Sequence, residues 1–190
     1  MTLSYRRSPL QIIFSWLFLC LLITGCSSQP SAQYNADYDF VDISSYSLFP
    51  RHHEFNDVQR LSDFQRNRIE LAIEHAMDEL AFSYTEQDEA DVVVSYFLVQ
   101  TSLQELKNYN RKVKACLICT EKEQRSLNRK IRTDMLIIDL ISTSNMRSVY
   151  RQSSPLKMKP KNTSDENRQL IIEAVQESLL DLSRLRANSK

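Results

Sequence analysis

A chain of 190 residues holds one glycine, Gly25, and only three histidines, and it carries 24 basic against 24 acidic residues. Each scarcity excludes something. Glycine-rich phosphate loops, dinucleotide fingerprints and glycine-flanked nucleophile elbows need backbone that only glycine accepts cheaply. Residues 26–190 contain no glycine and therefore none of these motifs. The charge balance lacks the basic excess of a nucleic-acid binder, so no nucleic-acid partner is expected. The imidazoles are limited to His52, His53 and His75. No Ser/His/Asp or Cys/His arrangement is legible around them, and no catalytic residue is assigned. The longest apolar run, Leu10 to Ile23, falls short of the roughly 20 residues a membrane span requires.

That run has the length of a signal-peptide core. Arg6 and Arg7 precede it and no acidic residue does. It ends in Ile23-Thr24-Gly25-Cys26, which resembles a bacterial lipobox: an aliphatic residue, a small residue, Gly or Ala, then Cys. A peptidase needs small side chains beside the scissile bond, which places Gly25. The Cys26 thiol takes a diacylglyceryl group, and cleavage before it frees an amine for a further fatty acyl chain such as palmitate. One lipid chain binds a membrane only marginally, whereas two or three hold the protein there. An ordinary anchor with an incidental cysteine would not account for the basic flank, the length and the small residues together. Ser27 stands where Asp would resemble an inner-membrane retention signal. The expected address is the outer membrane, on its periplasmic face, with a Gram-positive surface lipoprotein as the alternative.

Residues 1–25 thus read as a cleaved signal peptide and 26–36, "CSSQPSAQYNA", as a flexible tether. Residues 37–187 read as a single domain. Asp37 to Ser44 alternates Tyr38 and Phe40 with polar residues and predicts a first strand, followed by a loop over Tyr46 to Asn56. Ser62 and Gln65 have capping-box spacing ahead of an apolar stripe through Ile69, Ala72, Ile73, Ala76, Met77 and Leu80, predicting a helix to Phe82. Asp91 to Thr101 and Arg129 to Thr143 are β-branched runs that predict strands. Ser144-Asn145 reads as a turn in which Asn takes the positive φ, with Arg147 to Ser153 as the hairpin partner. Thr163 and Glu166 form a second capping box, opening a final helix to about Arg184. The expected fold is α+β in two layers, two amphipathic helices on one face of a mostly antiparallel sheet. Ser95 and Asp139 belong to the other face. The strand around them is apolar on both sides, which favours cover by an insertion at about 107–125, with a partner or a lipid-like ligand as the alternatives.

The succession "DFVDISSYSLFP", helix, "ADVVVSYFLV", "DMLIIDLISTSNMRSVYR" and closing helix resembles the bacterial lipoprotein family called domain of unknown function 4136. The resemblance extends over most of Asp37 to Leu185. It implies a fold and an envelope location and brings no established activity. Two departures stand out: Ser144-Asn145 replaces a usual glycine in the hairpin, and Lys107 to Arg125, with two cysteines, looks inserted.

Cys116 and Cys119 form the sharpest local motif. Cys20 leaves with the signal peptide and Cys26 is lipidated, so in an oxidising periplasm a Cys116–Cys119 disulfide is the default. A thioredoxin-like redox pair needs a strand–helix setting that "KNYNRKVKACLICTEKEQR" does not show, and a zinc site needs further ligands nearby. Adjacent His52 and His53 point to opposite sides of an extended chain, and His75 lies off the apolar stripe of its helix; no metal ligand is assigned. Asp134 and Asp139, five apart on one strand, would face opposite ways and cannot share a site. The expected function is a non-enzymatic binding or scaffolding domain anchored through Cys26, without cofactor beyond its lipid. Its partner would be an envelope protein, a lipid or cell-wall material close to the membrane. The alternative is a thiol-redox or metal-handling protein built on Cys116 and Cys119.

Overall fold

The computed structural model describes residues 32–50, 61–100, 103–115 and 131–188. Their order is β1 (Gln33–Tyr34), β2 (Ser45–Leu48), α1 (Asp63–Glu79), β3 (Ser83–Tyr84), β4 (Val92–Val99), α2 (Leu103–Lys112), β5 (Met135–Ser142), β6 (Arg147–Pro155) and α3 (Ser164–Asn188). The fold is α+β, as expected. The strands form one six-stranded sheet in the order β1-β6-β5-β4-β2-β3. The pairs from β1 to β4 are antiparallel, but β2 runs parallel to both β4 and β3, so the sheet is mixed. The parallel pair follows from connectivity: α1 lies between β2 and β4 and carries the chain back to start a second strand in the same direction.

Both helix starts read from the sequence are capped as their spacing predicts. The Ser62 hydroxyl accepts from the Gln65 amide, and the Gln65 side chain accepts from the Ser62 amide. Thr163 and Glu166 repeat the exchange at α3. α1 and α3 bury their apolar stripes, Ile69, Ile73 and Met77 with Ile171, Val175, Leu179 and Leu182, against Val92, Val94, Leu98, Leu136, Ile138 and Leu140 of the sheet. Glu70 is buried with them, where it accepts a 2.8 Å bond from the Tyr96 hydroxyl. The expected pair of helices on one face is present. The opposite face also carries a helix: Leu106, Tyr109 and Val113 of the α2 segment pack on Val93, Phe97, Val99, Ile137 and Ile141. Part of the stretch expected to fold back over the sheet therefore does so, as a helix that begins ahead of it at Leu103.

Three local expectations are corrected. No strand spans Asp37 to Ser44; the strand is β2, which begins at Ser45 and runs into the stretch expected to be a loop. Phe40 and Ile43 are buried as the alternation suggests. However, the Asn35 and Asp39 side chains accept from the amides two residues on and bend the chain away from extended pairing. The positive φ of the β5–β6 turn falls on Met146, at 53°, while Asn145 contributes its side-chain oxygen to the Arg147 amide. Finally, Gln33 and Tyr34, within the stretch read as tether, pair with Arg151 and Tyr150. The Ala32 amide donates to Asp181 Oδ2 at 3.0 Å, so the domain takes up the chain from residue 32.

Candidate functional site

Strand alternation places Leu136, Ile138 and Leu140 of β5 under α1 and α3, and Ile137, Asp139 and Ile141 under α2. The register then sets Ser95 of β4 opposite Asp139, and Asp139 opposite Arg151 of β6. The result is a row of polar side chains across three strands, all buried. A β-bulge in β6 between its pairings to Leu140 and Ile141 leaves Val149 over. This turns Ser148 onto the same face as Asp139. From above, α2 supplies Tyr109 and Asn110.

Asp139 is fully enclosed, with 0% of its surface exposed. Its Oδ1 accepts from Arg151 Nε at 2.9 Å and from the Ser148 hydroxyl at 2.5 Å. Its Oδ2 accepts from Arg151 Nη2 at 2.8 Å and from the Tyr109 hydroxyl at 2.7 Å. Arg151 Nη1 donates to Asn110 Oδ1 at 2.6 Å, and its guanidinium lies 5.6 Å from the Tyr109 ring centroid. That ring stacks on Phe97 at 4.7 Å. Burial, with the Asp139 carboxylate beside it, pushes the Tyr109 hydroxyl well above its ordinary range. Burial works against charge on Arg151, but the Asp139 carboxylate and the Tyr109 hydroxyl together outweigh it and hold the guanidinium protonated.

The chemistry open to this row is narrow. A carboxylate has about four lone-pair sites, and here four donors fill them. No position is left on Asp139 for a metal, a substrate proton or a water. A tyrosine displaced upward in pKa and wholly enclosed is no general acid or base near neutral pH. The bidentate, charge-assisted pair joins β5 to β6, and α2 is fastened to it by the Tyr109 hydroxyl on Asp139 and by Asn110 on Arg151. A second fastening lies just ahead of β4. Asp91 Oδ2 accepts from the amides of Ser44 and Ser45, each at 2.9 Å, and from both hydroxyls. The Ser44 amide bond foremost holds the Asp91 carboxyl below its ordinary range.

Gly25, Cys26, His52, His53, Cys116 and Cys119 lie outside the described residues. His75 is exposed on α1, with Nδ1 3.5 Å from Glu79 Oε1. Asp134 precedes β5 at a φ of 61° and takes no part in the row built on Asp139. Among the described residues no group of three His, Cys, Asp or Glu side chains is placed to hold a metal ion, and no helix is long and apolar enough to cross a membrane. The sequence reading missed Tyr109, Asn110, Ser148 and Arg151. A signal existed for the helix: Leu106, Tyr109 and Val113 sit three and four residues apart.

The family model described as domain of unknown function (DUF4136) matches residues 30–181, from ahead of β1 into the second half of α3. The chain belongs to this family. Its fold resembles the crystal structure of a DUF4136 family protein from Bacteroides thetaiotaomicron, with a TM-score of 0.54 at 15% identity, over 83% of this chain and 96% of that one. Two further structures overlap it more loosely. One is a PelC dodecamer from Paraburkholderia phytofirmans, with a TM-score of 0.38 at 9% identity over 78% of this chain and 95% of that one. The other is a PDZ domain protein from Parabacteroides distasonis, with a TM-score of 0.40 at 10% identity over 77% of this chain and 34% of that one. No curated protein matches the sequence. Membership in DUF4136 fixes the fold and leaves the activity to be argued from residues.

Proposed function

We propose that this DUF4136 protein is a lipoprotein of the bacterial outer membrane, held on the periplasmic face by diacylglycerol and a fatty acyl chain on Cys26. Residues 1–25 are its signal peptide, cleaved between Gly25 and Cys26. The observation that carries this reading is the lipobox Ile23-Thr24-Gly25-Cys26 behind a basic flank and a short apolar run. The domain acts by binding or scaffolding another envelope component, a protein or cell-wall material, and not by catalysis. The saturated Asp139–Arg151 row supports this, because its polar groups are spent on one another. Cys116 and Cys119 close a structural disulfide in this reading.

The test is the intact mass of the protein taken from its native envelope, alkylated before reduction. A mass for residues 26–190 with three acyl chains and two unalkylated cysteines is the expected result. An unlipidated mass would sink the anchor. A lipidated protein whose Cys116 and Cys119 alkylate freely would replace the scaffolding reading with a thiol-redox or metal-handling one.

A further inference from the structure

We infer that the β1 edge of the sheet, with the exposed ring of Tyr34, is the surface that rests against the phospholipid headgroups, and that the β3 edge faces away from the bilayer. The inference rests on lipidation of Cys26. It adds which part of the domain the lipid holds close.

The fold takes up the chain at Ala32. Its amide is bonded to Asp181 Oδ2 at 3.0 Å, Gln33 and Tyr34 pair with β6, and the Asn35 amide donates to the Val149 carbonyl at 2.8 Å. Six residue steps separate Cys26 from Ala32, and a chain spans at most ~3.6 Å per residue, so the β1 edge lies within about 20 Å of the lipidated sulfur. β1 and β3 are opposite edges of the sheet. Five strand spacings of ~4.8 Å separate them, about 24 Å. The tether is therefore shorter than the sheet is wide. The tether keeps the β1 edge within about 20 Å of the lipid, whereas the β3 edge can stand roughly 24 Å farther out.

The side chains at the anchored edge suit that position. Tyr34 is 52% exposed and rests edge-on against Phe40, with ring centroids 6.2 Å apart. An amphipathic ring with an apolar body and a hydroxyl tip is the type that settles at the headgroup level. At the same corner Arg184 reaches from α3 to Asp181 at 2.8 Å with 65% of its side chain exposed, leaving guanidinium N–H groups for lipid phosphate. At the far edge the exposed aromatic is Tyr84, packed on Tyr46.

The one tryptophan of the chain, Trp16, lies in the segment removed with the signal peptide, so the processed protein is free of tryptophan. Tyr34→Trp and Tyr84→Trp, each expressed as the full chain and purified after processing, give one fluorophore at each edge. They are reconstituted into phosphatidylethanolamine–phosphatidylglycerol vesicles containing lipid brominated near the headgroup. Several-fold stronger quenching of Tyr34→Trp than of Tyr84→Trp is expected. Equal quenching, or stronger quenching at Tyr84→Trp, overturns the orientation. Intact mass on the same samples separates the two claims: an unlipidated protein brings down anchor and orientation together, a lipidated one with equal quenching brings down the orientation alone. If Tyr34→Trp loses its cooperative thermal transition, Arg184→Trp reports from the same corner.

Discussion

Asp139 is closed off from bulk solvent, so every donor around it counts. Replacing it with Asn leaves the Arg151 guanidinium buried without a counter-charge, and a loss of about 3–5 kcal/mol is expected. The loss would be read as a lower denaturant midpoint at unchanged slope. Replacing Asp139 and Arg151 together by Leu and Met removes both desolvation costs and should cost less than the single change; a double variant that is the less stable of the two would show that the row is worth more than its charge pairing. Ala81 is a second test at this scale. It ends α1 at a φ of 59°, with its amide bonded to the Asp78 carbonyl and the Phe82 amide to that of Met77. This is a Schellman stop built without glycine. Ala81→Gly is expected to raise stability by about 1 kcal/mol, because the left-handed backbone costs alanine and not glycine. Asp91 gives the pH dependence. Its carboxyl lies below the ordinary 3.8 in the folded state, so its contribution is complete above that value and is lost as pH falls through the folded one. Urea midpoints should therefore drop below about pH 4, and Asp91→Asn should flatten that drop.

At the scale of elements, periodicity carried far and local chemistry overruled it where short polar side chains intervened. The stripes of α1 and α3 were legible because each repeats for several turns behind a capping box, and Ser62→Ala is expected to cost about 1 kcal/mol of global stability. The long strands β4, β5 and β6 were legible from β-branched runs. The stretch around Phe40 was not, because burial of alternate residues does not require a strand when Asn35 and Asp39 cap the amides beside them. α2 was missed because it is mostly polar around its buried Leu106 and Tyr109. A helix that needs only a narrow apolar contact, fastened by two polar side chains to an ion pair in the sheet, leaves a weak trace in composition. The candidate site shared that fate: Ser95 and Asp139 could be placed on one face, but Arg151 and Tyr109 join them only through register and the return of α2. This fastening makes α2 separable from the rest. Tyr109→Phe keeps the stack on Phe97 and removes the hydroxyl. The amides of α2 should then exchange with solvent faster by hydrogen-exchange mass spectrometry, while those of α1 and α3 hold their protection. Equal loss across all three helices would mean that α2 is no separate unit.

For the molecule as a whole, the first strand matters beyond its two residues. Deleting residues 26–36 removes the Ala32–Asp181 bond and the cover of β6, and a loss on the order of 2 kcal/mol is expected, as for a hydrogen bond to a charged group. A deletion that leaves the thermal midpoint unchanged would mean that these residues are only tether. The same pairing imposes an order in time. Gln33 and Tyr34 find their places only against Arg151 and Tyr150, which lie near the other end of the chain. In a chain that emerges N-terminus first, β1 is made early and must wait for nearly all the rest before it has anything to pair with. Until it pairs, the outer seam of β6 stands open to any other strand that passes.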